Sequence, residues 1–159
     1  MIRSARRKDA KALRRLDREV WSWLHSPVEP RDVPFDIEGV LVYELDGEIA
    51  GYVKVGEPWA IDSVRHVRQI LGLAVDARFH RRGIATGLLE TAIILARKEG
   101  ARKLILRVLG HNAPARELYA ACGFEIEGVL RDFFLIEGRY VDDVMMSLDL
   151  TAGGSSASS

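Results

Sequence analysis

At 159 residues the chain is the size of one domain and is long enough to bury a substantial core. Its 23 basic and 23 acidic residues cancel, which argues against bulk attraction to nucleic acid or an anionic membrane; 48% hydrophobic and 29% charged content is ordinary for a globular protein. The lone cysteine, Cys122, excludes an intrachain disulfide and fits a reducing, cytoplasmic setting, while no apolar run approaches the ~20 residues of a membrane span or forms a signal-peptide core.

In chain order, Ile2–Ala5 reads as a first strand and Arg7–Arg18 as a helix, with a second helical stretch through Trp23. Arg3, Arg6, Arg7, Lys8, Lys11, Arg14, Arg15 and Arg18 stand against only Asp9 and Asp17. Leu13, Leu16, Val20 and Leu24 keep helical spacing, so the charge reads as the solvated face of an amphipathic helix. A nucleic-acid surface is the competing reading, but no interleaved aromatic or base-reading motif accompanies it. Pro27, Pro30 and Pro34 make His25–Asp36 an irregular loop. Val40–Leu45 and Ile49–Val55 flank Asp46-Gly47, a hairpin turn that needs positive φ. His66–Val75 is the next strand. Ile84–Glu99 is a helix apolar over more than a stripe, set to lie buried on a sheet and stopped by Gly100. Lys103–Leu109 reads as a buried strand, after which Asn112 caps a helix with Pro114 in its first turn and Gly123 at its end. Phe124–Leu130 is a strand, and Phe133–Ile136 with Tyr140–Leu148 forms a closing hairpin around Glu137-Gly138. The small polar tail, 151–159, has nothing to bury and is expected to be disordered. Residues 1–150 then form a single α/β or α+β domain with a mixed sheet.

Two segments carry chemistry. The first is His80-Arg81-Arg82-Gly83-Ile84-Ala85, a basic loop between the strand ending at Val75 and the apolar helix. Gly83 lets the backbone approach a ligand, the first N–H groups of the helix are unsatisfied by construction, and the helix dipole adds about half a positive charge. Arg81 and Arg82 supply charge-assisted contacts to phosphate oxygens. The loop fits an anion cradle as well as a plain turn; it is neither a Walker loop nor the three-glycine dinucleotide fingerprint. The second segment, Asn112 to Phe124, sets Tyr119 two turns into a helix with Ala115, Leu118 and Cys122 on its apolar side. A tyrosine there is ordinarily core with a tethered hydroxyl, and Cys122 a small packed residue.

Together the two segments resemble the GNAT superfamily of N-acetyltransferases. The acyl-CoA signature of that family, Gln/Arg-x-x-Gly-x-Gly/Ala after the fourth strand, corresponds to His80-Arg81-Arg82-Gly83-Ile84-Ala85. The later signature Asn-x-x-Ala-x-x-Leu-Tyr-x-x-x-Gly-Phe is matched in full by Asn112, Ala115, Leu118, Tyr119, Gly123 and Phe124. An Ile-Arg-x-Ala opening followed by Asp9-Ala10, and the element order, extend the likeness over roughly residues 1–150. The resemblance implies a mixed, mostly antiparallel sheet of about seven strands flanked by about four helices. It also implies acetyl-CoA as cosubstrate, no metal, and direct attack of an amine on the thioester without a covalent intermediate. On that basis the N–H groups of residues 81–85 hold the CoA pyrophosphate, with His80 in place of the usual Gln or Arg and Ala85 in place of the last glycine. The strand edge at Leu73 and Val75 pairs with the pantetheine arm and provides an oxyanion donor. Asn112 contacts the pantetheine or its neighbourhood, and Tyr119 faces the thioester sulfur as proton donor to the departing thiolate.

The acceptor side is less defined. The last third, Gly128–Leu148, resembles the branch acting on ribosomal-protein N-termini, free amino acids and polyamines. Trp21, Trp23, His25, Phe133, Phe134 and Tyr140 are candidates to line its pocket, and Asp142 and Asp143 alternate, so only one points toward a cationic acceptor. Many relatives carry a carboxylate base on the fourth strand, where this chain has Gln69, Ile70 and Leu71; Glu44, His66, His111 or an ordered water are the alternatives. An α-amino group with pKa near ~8 is already about a tenth neutral at pH 7, a lysine far less, so a missing base slightly favours α-amino or other weakly basic amines as acceptors. Another acyl donor, a non-catalytic CoA-binding or regulatory domain, and a homodimer through exposed strand edges remain open readings.

Overall fold

The computed structural model describes residues 1–151, so most of the polar tail lies outside the described residues. In chain order the elements are β1 (Ile2–Ser4), α1 (Ala10–Val20), β2 (Val40–Leu45), β3 (Glu48–Gly56), β4 (Val67–Val75), α2 (Ile84–Lys98), β5 (Lys103–Leu109), α3 (Ala113–Ala121), β6 (Glu125–Ile136) and β7 (Arg139–Asp149). Asp46-Gly47 and Glu137-Gly138 adopt positive φ at both positions, 52° and 79° in the first and 50° and 79° in the second. That backbone hand matches the twist of the flanking strands, and each pair closes a hairpin. The strands form one seven-stranded sheet in the order β1-β2-β3-β4-β5-β7-β6. Its neighbours are antiparallel except β4 and β5, which are joined through α2 as a parallel pair requires.

Alternation along the strands sends residues to two helical layers. Val40, Val42, Tyr52 and Ala74 meet Leu13 and Leu16 of α1 on one face. Val53, Ile70, Leu104 and Leu106 meet Ile84, Leu88, Leu89, Ala92 and Ile93 of α2 on the other, with Ala115, Leu118 and Tyr119 of α3 packed against the same core. The basic side of α1 faces outward, where Arg14 and Arg18 share Asp32.

Three elements differ from the sequence reading. The first helix begins as a 3-10 turn at Arg7–Asp9 and ends at Val20, and beyond it residues 23–25 form a turn rather than a second helix. Three α-helices and three 3-10 turns therefore flank the sheet among the described residues. The third difference is β6, which is one strand instead of two because register shifts at Ile126/Gly128 and Leu130/Phe134 absorb the irregular residues without breaking the pairing.

The feature that creates a site is a divergence between β4 and β5. They pair only from Val67↔Lys103 to Ile70↔Leu106. At that point β4 is bulged: Val55 pairs with Ile70 and Lys54 with Gly72, so Leu71 is skipped in the register with β3. Beyond it β4 stays with β3 and β5 stays with β7, and a wedge opens between them.

Candidate functional site

The wedge leads into a cleft of about 1020 Å³ lined by Leu71, Leu73, Val75, His80 and Ala85 on one side, Arg107, Asn112 and Tyr119 on another, and Trp21, His25, Phe35, Asp17 and Tyr52 across its outer half. The strand wall has unused hydrogen-bonding capacity. Asp76 donates its N–H to Ala50 O at 2.8 Å, so in the alternating antiparallel ladder Ala74 and Gly72 also turn their backbone groups toward β3. Leu73 and Val75 turn theirs the opposite way, into the wedge. His80 reveals this edge directly, because its Nε2 lies 3.0 Å from Val75 O. The imidazole is thus committed to the strand edge rather than extended from the basic loop.

The basic loop is built as a concave run of backbone donors. Asp76 anchors it by accepting from Arg78 N–H at 2.9 Å and from the Arg78 guanidinium. The guanidinium carbons of Arg78 and Arg82 lie 5.1 and 5.5 Å from the Phe79 ring centroid. Arg81 and Gly83 then adopt left-handed φ of 64° and 74°. A Cβ at Gly83 would meet open space, so glycine is required there by the backbone and not by crowding. Among the described residues the N–H groups of Arg81, Arg82 and Gly83 donate to no protein oxygen, and α2 starts without a side-chain cap. Ile84, Ala85 and Thr86 add the free N–H groups of the first helical turn, beside the positive end of a fifteen-residue helix. Of the residues expected in this cradle, Ile84 contributes only backbone, since its side chain is 2% exposed in the core.

Across the wedge, Asn112 accepts from Ala115 N–H at 3.2 Å, which starts α3 and commits its carbonyl oxygen to capping. Tyr119 packs edge to face on Phe124 with ring centroids 6.0 Å apart. Burial pushes its phenol up to about 12, so it stays protonated at neutral pH. Its hydroxyl makes no hydrogen bond to the described residues, unlike the tethered tyrosine of an ordinary core. Cys122 is also raised by burial and offers no activated thiolate.

The outer half of the cleft sorts the remaining candidates. Trp21 and His25 line it; Trp21 is held by its Nε1 donating to Val28 O at 2.8 Å, and burial, then the neighbouring His80, hold His25 below the usual imidazole value. Trp23 and Phe134 instead pack with Leu109, Ile136 and Val141, while Phe133 and Tyr140 are exposed on the closing hairpin. Asp143 is buried against Arg107 with an oxygen 2.9 Å from Nε, and Asp142 accepts from Asp132 N–H at 2.9 Å, so neither is offered to an acceptor. The base candidates move away as well. Glu44 receives Arg3 at 2.8 Å in a group with Asp9 away from the cleft, His66 precedes β4 at its far end, and His111 bonds Trp23 O at 2.9 Å without lining the cleft.

Two residues were missed. Asp17 and Tyr52 lie 35 positions apart, yet the Tyr52 hydroxyl donates to Asp17 Oδ1 at 2.6 Å inside the cleft. The available signal was Asp17 itself, an acid four residues after core Leu13 on a helix whose charged residues are mostly basic.

A model of the acetyltransferase (GNAT) family matches residues 10–124. The chain is 32% identical over 108 residues to the L-amino acid N-acetyltransferase AaaT of Escherichia coli, a match covering 67% of this chain and 65% of that protein. It is 33% identical over 101 residues to an N-alpha-acetyltransferase of Sulfurisphaera tokodaii, covering 58% and 60%. The matches therefore span less than two thirds of these relatives' own lengths. In three dimensions it superposes with a TM-score of 0.82, at 18% identity and over 94% and 87% of the two chains, on a phosphinothricin acetyltransferase from Sinorhizobium meliloti solved with acetyl-CoA.

Proposed function

Because the chain belongs to the acetyltransferase (GNAT) family, we propose that it is an N-acetyltransferase moving the acetyl group of acetyl-CoA to a primary amine by direct attack. The observation that carries this reading is the free edge of β4 at Leu73 and Val75, running into an uncapped helix N-terminus, with an unbonded Tyr119 hydroxyl across the wedge.

Each part has a task in that reaction. Backbone N–H groups of residues 81–85 hold the pyrophosphate, where negative charge meets free donors and the helix dipole. Leu73 and Val75 pair with the amides of the pantetheine arm as an added strand, and His80 gives up or shares Val75 O when they do. An N–H of the β4 edge stabilises the oxygen of the tetrahedral intermediate, typically worth about 3 kcal/mol. Asn112 keeps α3 at its angle to the wedge, and Tyr119 hydrogen-bonds the departing sulfur. Holding thioester and amine in line is the largest contribution, on the order of 7–11 kcal/mol.

The test is release of free thiol from acetyl-CoA across a panel of amines, with the acetylated product identified by mass. Amine-dependent release is the expected result. Tight acetyl-CoA binding with no release for any amine would instead identify a CoA-binding regulatory domain.

A further inference from the structure

We infer that Asp17, held by Tyr52, is the group that receives the acceptor's ammonium, and that the acceptor is a primary amine with an apolar body and no neighbouring carboxylate. The inference rests on the acetyl-transfer reading of the cleft.

Position is the first argument. Tyr52 is 5% exposed on β3, in register with Ala74, and packs edge to face on Phe35 at 5.2 Å. Its ring lies over Gly72: a Cβ built there would stand 3.2 Å from the hydroxyl oxygen. Gly72 follows the bulge at Leu71, where β4 leaves β5 and its edge becomes free. The Tyr52 hydroxyl therefore carries Asp17 to the level of the strand at which the wedge opens.

Unspent capacity is the second. Asp17 sits among Arg14, Arg15 and Arg18, yet Arg14 and Arg18 pair with Asp32, and no cation among the described residues pairs with Asp17. Oδ1 accepts from Tyr52, leaving Oδ2 for a donor from the cleft. Burial and the bond to Asp17 raise the phenol of Tyr52 well above its ordinary value, so it remains a donor that fixes the carboxylate.

The third argument is what the cleft lacks. Lys54 is committed to Asp36, 2.9 Å from its carbonyl and 3.1 Å from its carboxylate, and Arg107 to Asp143. A free amino acid would bring its carboxylate to a wall whose cations are engaged, beside the unpaired Asp17. Trp21, Val28, Phe35 and Leu71 offer apolar surface instead. The bound ammonium becomes an amide by losing two protons: the first goes to solvent past Asp17 and frees the nitrogen lone pair, the N–C bond then forms to give the tetrahedral intermediate, and the C–S bond breaks as the second proton, relayed through Tyr119, reaches the leaving thiolate.

This departs from the substrate in the name of the E. coli relative, an L-amino acid, and the experiment follows from the difference. Thiol release is measured with L-phenylalanine, L-phenylalaninamide and a Phe-Ala-Ala peptide amide, the last two standing for small amines and chain N-termini. Either amide should exceed the free acid in kcat/KM by about tenfold or more. Asp17→Asn should raise the KM for the amides about tenfold, leave the KM for acetyl-CoA unchanged and shrink the preference over the acid. Tyr52→Phe should move the same ratio in the same direction by less, as expected of a positioning residue. Equal use of acid and amides, or an Asp17→Asn enzyme with unchanged acceptor KM and preference, overturns the assignment while acetyl transfer stands. No thiol release with any amine overturns acetyl transfer and the assignment with it.

Discussion

The Tyr119 hydroxyl combines two properties that rarely coincide, a phenol raised to about 12 by burial and no protein acceptor for its proton. Full transfer of that proton to a thiolate of ordinary pKa near ~8.5 is uphill by roughly 5 kcal/mol. The group therefore acts best as a hydrogen-bond donor whose proton moves as the C–S bond breaks, when the sulfur is most basic. Replacing Tyr119 with Phe should lower kcat on the order of 10²-fold and leave the KM for acetyl-CoA nearly unchanged. The pH profile supplies a second check. Because ionisation of Tyr119 lies near 12, kcat/KM should rise as the acceptor amine loses its proton and hold a plateau through pH 10. A descending limb near pH 9 that vanishes in Tyr119→Phe would show that the phenol ionises much earlier and sink this role.

At the scale of elements, α1 reaches the cleft from a base fixed to β1 and β2. Arg3 on β1 contacts Asp9 through two bonds, at 2.8 and 3.1 Å, and Glu44 on β2 at 2.8 Å. Asp9 also accepts from Arg6 N–H at 2.7 Å, which sets the turn that launches α1. The pairing with Arg3 holds the Asp9 carboxyl below its usual range against the opposing effect of burial. A carboxylate depressed in the folded state stabilises fully above its unfolded value near ~4, and loses that contribution as pH falls through the lower folded value. Asp9→Asn should thus cost about 3 kcal/mol at pH 7, because Arg3 is left part-buried and poorly paired. Urea titrations at pH 7 and at pH 2.5 should show a gap between wild type and variant that narrows in acid. A gap independent of pH would mean that packing, not charge, explains the loss.

Across the whole molecule, what could be seen in the sequence was local. The hairpin dipeptides Asp46-Gly47 and Glu137-Gly138, the Asn112 cap and the apolar run of α2 act within a few residues and stand where expected. Contacts between distant segments were not legible: Glu44 is taken by Arg3, and Asp17 meets Tyr52 only because α1 lies across β3 and β4. The bulge at Leu71 is hidden for the same reason, since register depends on two strands at once. Yet these long-range features make the sheet incomplete, and incompleteness gives ligand binding a global signature. The edge of β4, the start of α2 and Tyr119 of α3 share one core with Ile84, Leu88 and Leu106. A ligand that pairs with the β4 edge and caps α2 should therefore stabilise the fold as a unit. At acetyl-CoA one hundredfold above its dissociation constant, linkage gives about 2.7 kcal/mol, a rise in Tm of roughly 5–11 °C for a chain of this size. Gly83→Val is the discriminating variant, because the residue sits at a φ of 74° in the cradle. Its strained conformation should lower the unliganded Tm, so the readout is the ligand-induced shift, expected to fall below about 2 °C while the far-ultraviolet spectrum stays native. Asp17→Asn, on the acceptor side, should keep the full shift. If Gly83→Val keeps it too, the anion is held somewhere other than the start of α2.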